Sequence, residues 1–192
     1  MNTSSKFAKI CLLSLAGLLC AINTGSIAFS QTAPQKDAMS SSVVVVAQTD
    51  RRIYSTADSI KISAALENTG GKIVYVDRRM FWTGLSGGLK LDIVDEHGKH
   101  LPAHFLSDAM MPPPREGDSS ILVRLDSGFF YGTSVNLIAK DFFPKPGRYS
   151  IRVIYKSWLH KDSVPPELRG LPALWEDTPQ IASEPVWIEI TQ

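Results

Sequence analysis

The 192-residue sequence predicts an all-β domain, an antiparallel sandwich of seven to nine short strands with loop inserts. Two segments, Ser59–Glu67 and Arg148–Lys156, alternate apolar and polar residues with the period of two that is typical of half-buried strands. Turn-forming residues, as in 68–71 (NTGG) and 95–99 (DEHGK), separate such segments from their neighbours. Apart from a possible turn of helix at 166–170, no stretch shows the helical period, which excludes a helical bundle.

The first thirty residues have the features of a Sec-type signal peptide. Lys6 and Lys9 form a positive segment, and the uncharged, leucine-rich stretch Ile10–Ile22 follows it. Ala28 and Ser30 supply the small residues that signal peptidase requires before its cut. Cleavage after residue 30 leaves a flexible linker at 31–42 and a sandwich domain at 43–192. The alternative is an uncleaved membrane anchor.

Cleavage changes the chemistry available to the chain. The whole sequence has 20 basic and 19 acidic residues, a net charge of +1, and loss of Lys6 and Lys9 changes this net charge to −1. Neither value provides the basic surface that nucleic-acid binding needs. Cys11 and Cys20 both lie in the predicted signal peptide, so thiol catalysis, thiolate zinc sites and disulfides are excluded. We therefore expect a periplasmic or extracellular protein with no transmembrane span after cleavage and no nucleic-acid partner.

The first half of the domain is predicted to contain four strands and a short extended segment. Val43–Val46 is a run of β-branched valines, which favours a first strand. Ser59–Glu67 and Lys72–Asp77 flank the turn at 68–71, so these two strands are predicted to form a hairpin. Leu89–Val94 alternates again before the turn at 95–99, and an extended piece at 101–105 follows.

The second half contains four more predicted strands. Ile121–Leu125 and Phe129–Ile138 are rich in β-branched, aromatic and other apolar residues, with Ser127 and Gly128 as a turn between them. Arg148–Lys156 follows a proline-rich turn. The last strand, residues 186–191, directs alternate apolar side chains to one face.

The proline-rich turn carries a resemblance to a known family. Residues 143–149 read FPKPGRY, and a Pro-Gly-x-Tyr sequence before a late alternating strand resembles bacterial immunoglobulin-like and fibronectin-type-III-like β-sandwich domains. The resemblance implies that Tyr149 is a corner residue whose hydroxyl bonds the backbone just upstream. Leu66-x-Asn68 at the end of an early strand is also common in such domains. The resemblance covers roughly residues 43–191 and implies an architecture, not an activity.

Three long inserts, at 80–88, 108–120 and 158–180, interrupt the strand pattern. We call Trp158–Gln180 the carboxy-terminal insert. Long loops are frequent at binding sites and tryptophans supply interface energy, so Trp158 and Trp175 are candidate binding residues. The alternative is that both tryptophans fold the insert onto the sandwich.

Met110 and Met111 are further candidate binding residues. The loop at 110–117 (MMPPPREG) would enter a protease cleft if the protein were a secreted proteinase inhibitor, because its prolines limit loop freedom. Methionine thioethers also suit monovalent copper. Adjacent methionines point apart in an extended chain, however, so gap filling is the alternative.

Histidines are the remaining candidate ligands. His97, His100 and His104 lie close together, and His100 and His104 would share one face of a strand, where His160 or an acid could complete a metal site. Exposed polar residues on an edge strand are the alternative.

No motif indicates catalysis or a cofactor. The sequence has no Gly-x-Ser-x-Gly elbow, phosphate loop or dinucleotide fingerprint. We therefore predict an exported, non-catalytic binding or accessory protein without a cofactor or an assigned metal, whose partner is another protein, a surface polymer or a small ligand. A secreted proteinase inhibitor and a periplasmic copper-binding protein are the alternatives, and the oligomeric state is left open.

Overall fold

The computed structural model describes residues 42–83, 88–103 and 118–192, so the predicted signal peptide and nearly all of the linker lie outside the described residues. The described residues form eleven strands, one single-turn α-helix and three single-turn 3₁₀ helices. The elements are β1 Val43–Thr49, β2 Ile53–Ser55, β3 Ser59–Asn68, β4 Val74–Asp77, β5 Gly88–Asp95, β6 His100–Leu101, β7 Leu122–Leu125, β8 Phe130–Ile138, α1 Ala139–Phe142, β9 Gly147–Lys156, β10 Ile181–Ala182 and β11 Val186–Thr191. No helix among them is long and apolar enough to cross a bilayer.

The strands form three sheets. A three-stranded antiparallel sheet has the order β1-β3-β8, and a six-stranded sheet has the order β2-β11-β9-β5-β6, with β10 paired to β9. Strands β4 and β7 form a separate antiparallel pair. The all-β prediction is therefore confirmed.

One hydrophobic core joins the two larger sheets. Alternate side chains of each long strand point inward, as the period of two predicted, and belong to a single buried cluster. This cluster includes Val43, Val45, Ile60, Ile62, Leu66, Leu89, Leu91, Ile93, Leu137, Tyr149, Ile151, Val153, Ile188 and Ile190. The opposite face of each sheet is left at the surface.

The chain crosses from one sheet to the other between β1 and β2. The Tyr54 hydroxyl fixes this crossing, because it accepts a hydrogen bond from the Arg51 N–H at 2.8 Å and donates to the Asp50 carboxylate at 2.8 Å. That bond from Tyr54 lowers the pKa of Asp50. After the crossing, β2 pairs with β11 in parallel, which corrects the prediction of a wholly antiparallel sandwich. Because β1 and β2 lie in different sheets, the direction of β2 is not determined by pairing with β1.

The predicted hairpin of Ser59–Glu67 with Lys72–Asp77 is wrong. Strand β3 lies between β1 and β8, and β4 pairs with β7 instead. The reason is the buried Asn68 side chain, whose Nδ2 donates to the carbonyls of Lys72 at 2.7 Å and Leu125 at 3.0 Å. These bonds turn the chain away from β3 and bring β4 to β7.

The Tyr149 hydroxyl bonds the backbone just upstream of β9. It donates to the Lys145 carbonyl at 2.7 Å, four residues upstream. The Tyr149 ring packs edge-on against Phe143 at a centroid distance of 5.0 Å. Burial raises the pKa of the Tyr149 hydroxyl, because it disfavours the charged form.

The carboxy-terminal insert packs against β4 and forms a second, smaller hydrophobic cluster. The Tyr75 N–H of β4 donates to the Pro172 carbonyl at 2.9 Å, and the Leu174 N–H donates to the Tyr75 carbonyl at 2.9 Å. The buried residues of this cluster are Ile121, Leu159, Val164, Ala173 and Trp175. The insert is thus an ordered part of the fold.

Candidate functional site

The outer face of the three-stranded sheet carries an open groove of about 650 Å³. All three strands and the turn before β8 contribute to it. Its lining residues are Val46, Gln48, Ser63, Ala64, Ala65, Glu67, Gly128, Phe130, Gly132, Thr133 and Ser134. The volume lies within the range of about 300–1,000 Å³ that is typical of ligand sites.

The strand register explains the shape of the groove. Ala65 of β3 lies between Val46 of β1 and Gly132 of β8. Because the central strand presents small side chains on this face, it forms a floor, whereas valine and phenylalanine on the outer strands form the walls.

Gly132 keeps this floor close-packed. A Cβ atom at position 132 would lie 2.8 Å from the Ala65 Cβ and would collide with the Ala64 carbonyl oxygen. Any larger residue would therefore push β8 away from β3 and change the groove.

Large apolar side chains beside the groove are exposed to solvent. Phe130 is 73% exposed, Phe129 is 63% exposed and Val46 is 43% exposed. Burying one such side chain fully would yield about 1.5–3 kcal/mol, so their exposure leaves binding energy available for a partner. Contiguous apolar patches of this kind mark interaction sites.

The lining offers little chemistry beyond apolar contact and hydrogen bonding. Among the eleven lining residues Glu67 is the one ionisable group, and the hydroxyls of Ser63, Thr133 and Ser134 have no histidine or lysine beside them in the lining. The groove suits binding of an uncharged, largely apolar ligand.

A buried carboxylate elsewhere is neutralised within the fold. Asp77, at the end of β4, accepts hydrogen bonds from Arg79 Nη2 at 2.7 Å and Nε at 3.0 Å. Burial raises the pKa of the nearby Tyr155 hydroxyl. Because Arg79 occupies both carboxylate oxygens, this group forms an internal ion pair and does not present a charge to a ligand.

The two candidate tryptophans, Trp158 and Trp175, are both at least partly buried. Trp175 is only 6% exposed and belongs to the second hydrophobic cluster. Trp158 is partly buried, and its indole Nε1 is enclosed without a hydrogen-bond partner among the described residues. Neither tryptophan lines the groove.

Of the other candidate residues, the structure describes His97, His100 and His160. Met110, Met111 and His104 lie outside the described residues, as does the whole loop at 110–117. His100 is exposed and its Nδ1 lies 2.6 Å from the Asp92 carboxylate, whereas His160 is paired with Glu176 in the carboxy-terminal insert. Within the described ranges, no three His, Cys, Asp or Glu side chains are grouped as potential metal ligands.

The sequence interpretation missed the groove, although two signals in the sequence pointed to it. Four valines in a row at 43–46 cannot all face the core, because alternate residues of a strand point to opposite faces. Phe129 and Phe130 are likewise adjacent at the start of β8. Both patterns require apolar side chains on the outer face of the same sheet.

Comparison with known proteins adds little to this site. No protein-family model and no curated protein sequence matches the chain. Among solved structures, the β-glucosidase EmGH1 from Erythrobacter marinus is 14% identical with a TM-score of 0.38, and the match covers 78% of this chain and 15% of the glucosidase. The Northeast Structural Genomics Consortium target SoR45 is 11% identical with a TM-score of 0.33, covering 78% of this chain and 88% of SoR45. Both TM-scores are too low to support an argument about fold or activity.

Proposed function

We propose that this chain is an exported, non-catalytic binding protein that holds an uncharged, apolar segment of another protein in the groove of the three-stranded sheet. The observation that carries the proposal is the open groove of about 650 Å³ with the exposed Phe130 at its wall. An exposed aromatic beside a shaped cavity supplies the anchor contact that protein interfaces use.

The proposal includes an immunoglobulin-like architecture. The order β1-β3-β8 in one sheet and β11-β9-β5 in the other supports it, as does the transfer of the chain between sheets from β1 to β2. The hydrogen bond from Tyr149 to the Lys145 carbonyl matches the corner of such domains. In this fold a rigid sandwich carries the binding surface.

Export rests on the amino-terminal sequence. Lys6 and Lys9, the apolar stretch Ile10–Ile22 and the small residues Ala28 and Ser30 form the pattern of a cleaved signal peptide. The mass of the protein recovered from the exported fraction tests this part. A mass corresponding to a chain that begins at Gln31 supports it, and a full-length mass in the membrane fraction contradicts it.

A polypeptide segment fits the groove better than a compact ligand. The groove is open along the sheet, and its lining combines apolar side chains with serine and threonine hydroxyls. An extended chain places alternate side chains on one side, so it would match the alternation of the strands beneath it. Glu67 is the one charge in the lining and disfavours an acidic segment.

The test uses a capped, fluorescently labelled peptide of about eight residues in which valine and threonine alternate, a length close to that of one strand. Ala65→Lys places a charged side chain on the groove floor. Ser150→Lys is the matched control, because Ser150 is a half-buried, outward-facing residue of β9 on the other sheet. Fluorescence anisotropy measures peptide affinity, and thermal unfolding verifies that both variants fold.

We expect the peptide to bind the unmodified chain and Ser150→Lys equally, and to bind Ala65→Lys at least about tenfold more weakly, which corresponds to about 1.4 kcal/mol. Ser63→Lys, two residues along β3 on the same face of the floor, provides a second variant. Absence of peptide binding, or equal affinity for Ala65→Lys and Ser150→Lys, would show that the groove is not the binding site.

A further inference from the structure

The two larger sheets differ in how their edges are protected. The six-stranded sheet ends in β2 and β6, which have three and two residues. The three-stranded sheet ends in β1 and β8, which have seven and nine residues. Edge strands expose unpaired backbone groups, and proteins usually protect them by shortness, charge or proline. The sequence of β8, FYGTSVNLI, contains no charged residue and no proline.

Strand β8 is the more open of the two long edges. β1 lies against β9, β10 and β11 of the other sheet, on the side where the chain crosses between sheets. Among the described residues β8 pairs with β3 alone, and β7, which precedes it, pairs with β4. One complete edge of β8 is thus free of strand pairing within the described part of the chain.

The direction of the free backbone groups follows from the two ends of the β3-β8 ladder. The Asn68 N–H donates to the Phe129 carbonyl at 3.0 Å, and the Ala139 N–H donates to the Asp58 carbonyl at 2.9 Å. Residues 129 and 139 thus direct backbone groups toward β3. Because this direction alternates along an antiparallel strand, residues 130, 132, 134, 136 and 138 direct their N–H and C=O groups to the free edge.

We propose that β8 pairs antiparallel with β8 of a second copy of this chain, about a twofold axis at Ser134. The sequence of β8 is compatible with pairing to itself. Phe130 and Ile138 lie four residues to either side of Ser134, so each Phe130 would face Ile138 of the second copy on the outer face of the sheet. Phe130 is 73% exposed and Ile138 is 49% exposed in one chain, and the pairing brings these two apolar side chains together at both ends.

The remaining pairs also fit a second copy. Gly132 would face Asn136 of the second copy, and the two Ser134 residues would exchange both backbone hydrogen bonds at the axis. No charged side chain of β8 meets another across the axis, because the strand has none. The result is a continuous sheet of six strands in the order β1-β3-β8-β8-β3-β1, with one groove on each side of the axis. An isologous contact of this kind closes a dimer and leaves β1 at both ends.

The pairing is tested by sedimentation equilibrium of the exported chain, with three variants. Ser134→Pro removes the central N–H, which faces away from β3, so the monomer keeps its ladder. Ser134→Lys places two like charges at the axis. Ser63→Lys is the control, because Ser63 is the register partner of Ser134 on β3 and faces the same side one strand further from the axis. Thermal unfolding confirms that each variant folds.

We expect the unmodified chain and Ser63→Lys to be dimeric at about 100 μM, and both Ser134 variants to dissociate at least about tenfold more easily, since each disrupts the central pair of the interface. Amide hydrogen exchange adds a residue-level signature. In the dimer the amides of Phe130, Gly132 and Asn136 are protected, and in Ser134→Lys they exchange rapidly while those of Tyr131 and Thr133 stay protected.

Two outcomes would overturn the pairing. The first is a chain that stays monomeric at this concentration, and the second is a dimer that both Ser134 variants leave intact, which would place the contact on another surface. Failure of either kind is separate from failure of the groove proposal. Ser63→Lys is expected to abolish peptide binding without changing the association state.

Discussion

Substitution of Asn68 by aspartate is the sharpest available test of the fold. The Asn68 side chain is fully buried, and its Nδ2 donates to the carbonyls of Lys72 and Leu125 while its Oδ1 accepts from the Gly70 N–H at 3.0 Å. Asn68→Asp keeps the shape and the acceptor but replaces the donor with a second oxygen. Two carbonyl oxygens would then face a carboxylate in a buried site, without a hydrogen bond to either.

The cost of this change follows from the bonds that are lost. Leaving buried polar groups unsatisfied costs about 1–3 kcal/mol each, so Asn68→Ala should lower the free energy of unfolding by about 2–4 kcal/mol. The aspartate variant should lose more at neutral pH, because burial raises its folded-state pKa above the ordinary value of about 4. As the pH falls through that raised pKa, the carboxyl is protonated and stability returns by at most about 1.4 kcal/mol per pH unit.

Urea unfolding followed by tryptophan fluorescence measures these values, since the chain has four tryptophans. The unmodified chain, Asn68→Ala and Asn68→Asp are compared at pH 7 and at about pH 5, where the alanine variant has no new titrating group. The reasoning fails if Asn68→Asp is as stable as the unmodified chain at pH 7. It also fails if the deficit relative to Asn68→Ala is the same at both pH values.

Three further predictions concern other parts of the fold. Tyr149→Phe should cost about 1 kcal/mol in urea unfolding, because it removes the bond to the Lys145 carbonyl and little packing; no change would show that the corner bond is not stabilising. Trp175→Ala should cost about 3–5 kcal/mol and make the carboxy-terminal insert the first site of limited proteolysis, and an unchanged cleavage pattern would contradict its anchoring role. The lowered pKa of Asp50 means that its charged form stabilises the fold above about pH 4 and that this contribution is lost as the pH falls through the lowered pKa. Asp50→Asn should therefore differ most from the unmodified chain in thermal unfolding near neutral pH and converge with it as the pH falls through the lowered pKa, whereas a constant difference would exclude the bond from Tyr54 as the cause.

Long alternating segments were predictable from the sequence, and short or side-chain-dependent features were not. Strands β3, β9 and β11 lie where the period of two placed them, because one face of each is buried in the common core. Strands β2 and β10 have three and two residues, which is too short for an alternating pattern to be recognised in the sequence. Their positions depend on pairing with β11 and β9, which are distant in sequence.

The hairpin prediction failed because the pairing of β4 depends on a contact between residues that are distant in sequence. The turn signal after β3 is real, but a turn does not determine which strand the chain joins next. That choice depends on the Asn68 side chain, which binds the Lys72 carbonyl nearby and the Leu125 carbonyl 57 residues further along the sequence. A contact at such separation leaves no periodic trace in the sequence.

The sequence predicted binding residues in the inserts, whereas the groove lies on the three-stranded sheet. Trp175 could be either an anchor for a partner or an anchor for the insert, and its burial in the second cluster favours the latter. The groove arises from ordinary strand residues, and only the surplus of apolar side chains at 43–46 and at Phe129 and Phe130 indicates it.

The parallel pairing of β2 with β11 has a mechanical consequence. Glu189, Ile190 and Thr191 of the last strand lie in register with Ile53, Tyr54 and Ser55 near the amino-terminal side of the domain. Tension that pulls β2 by its first residue and β11 by its last residue acts along these strands in opposite directions. The bonds between them then carry the load together in shear and do not open one at a time. A pull that reaches β2 from the side of β1 therefore has to break this short pair in shear before β2 and β11 separate.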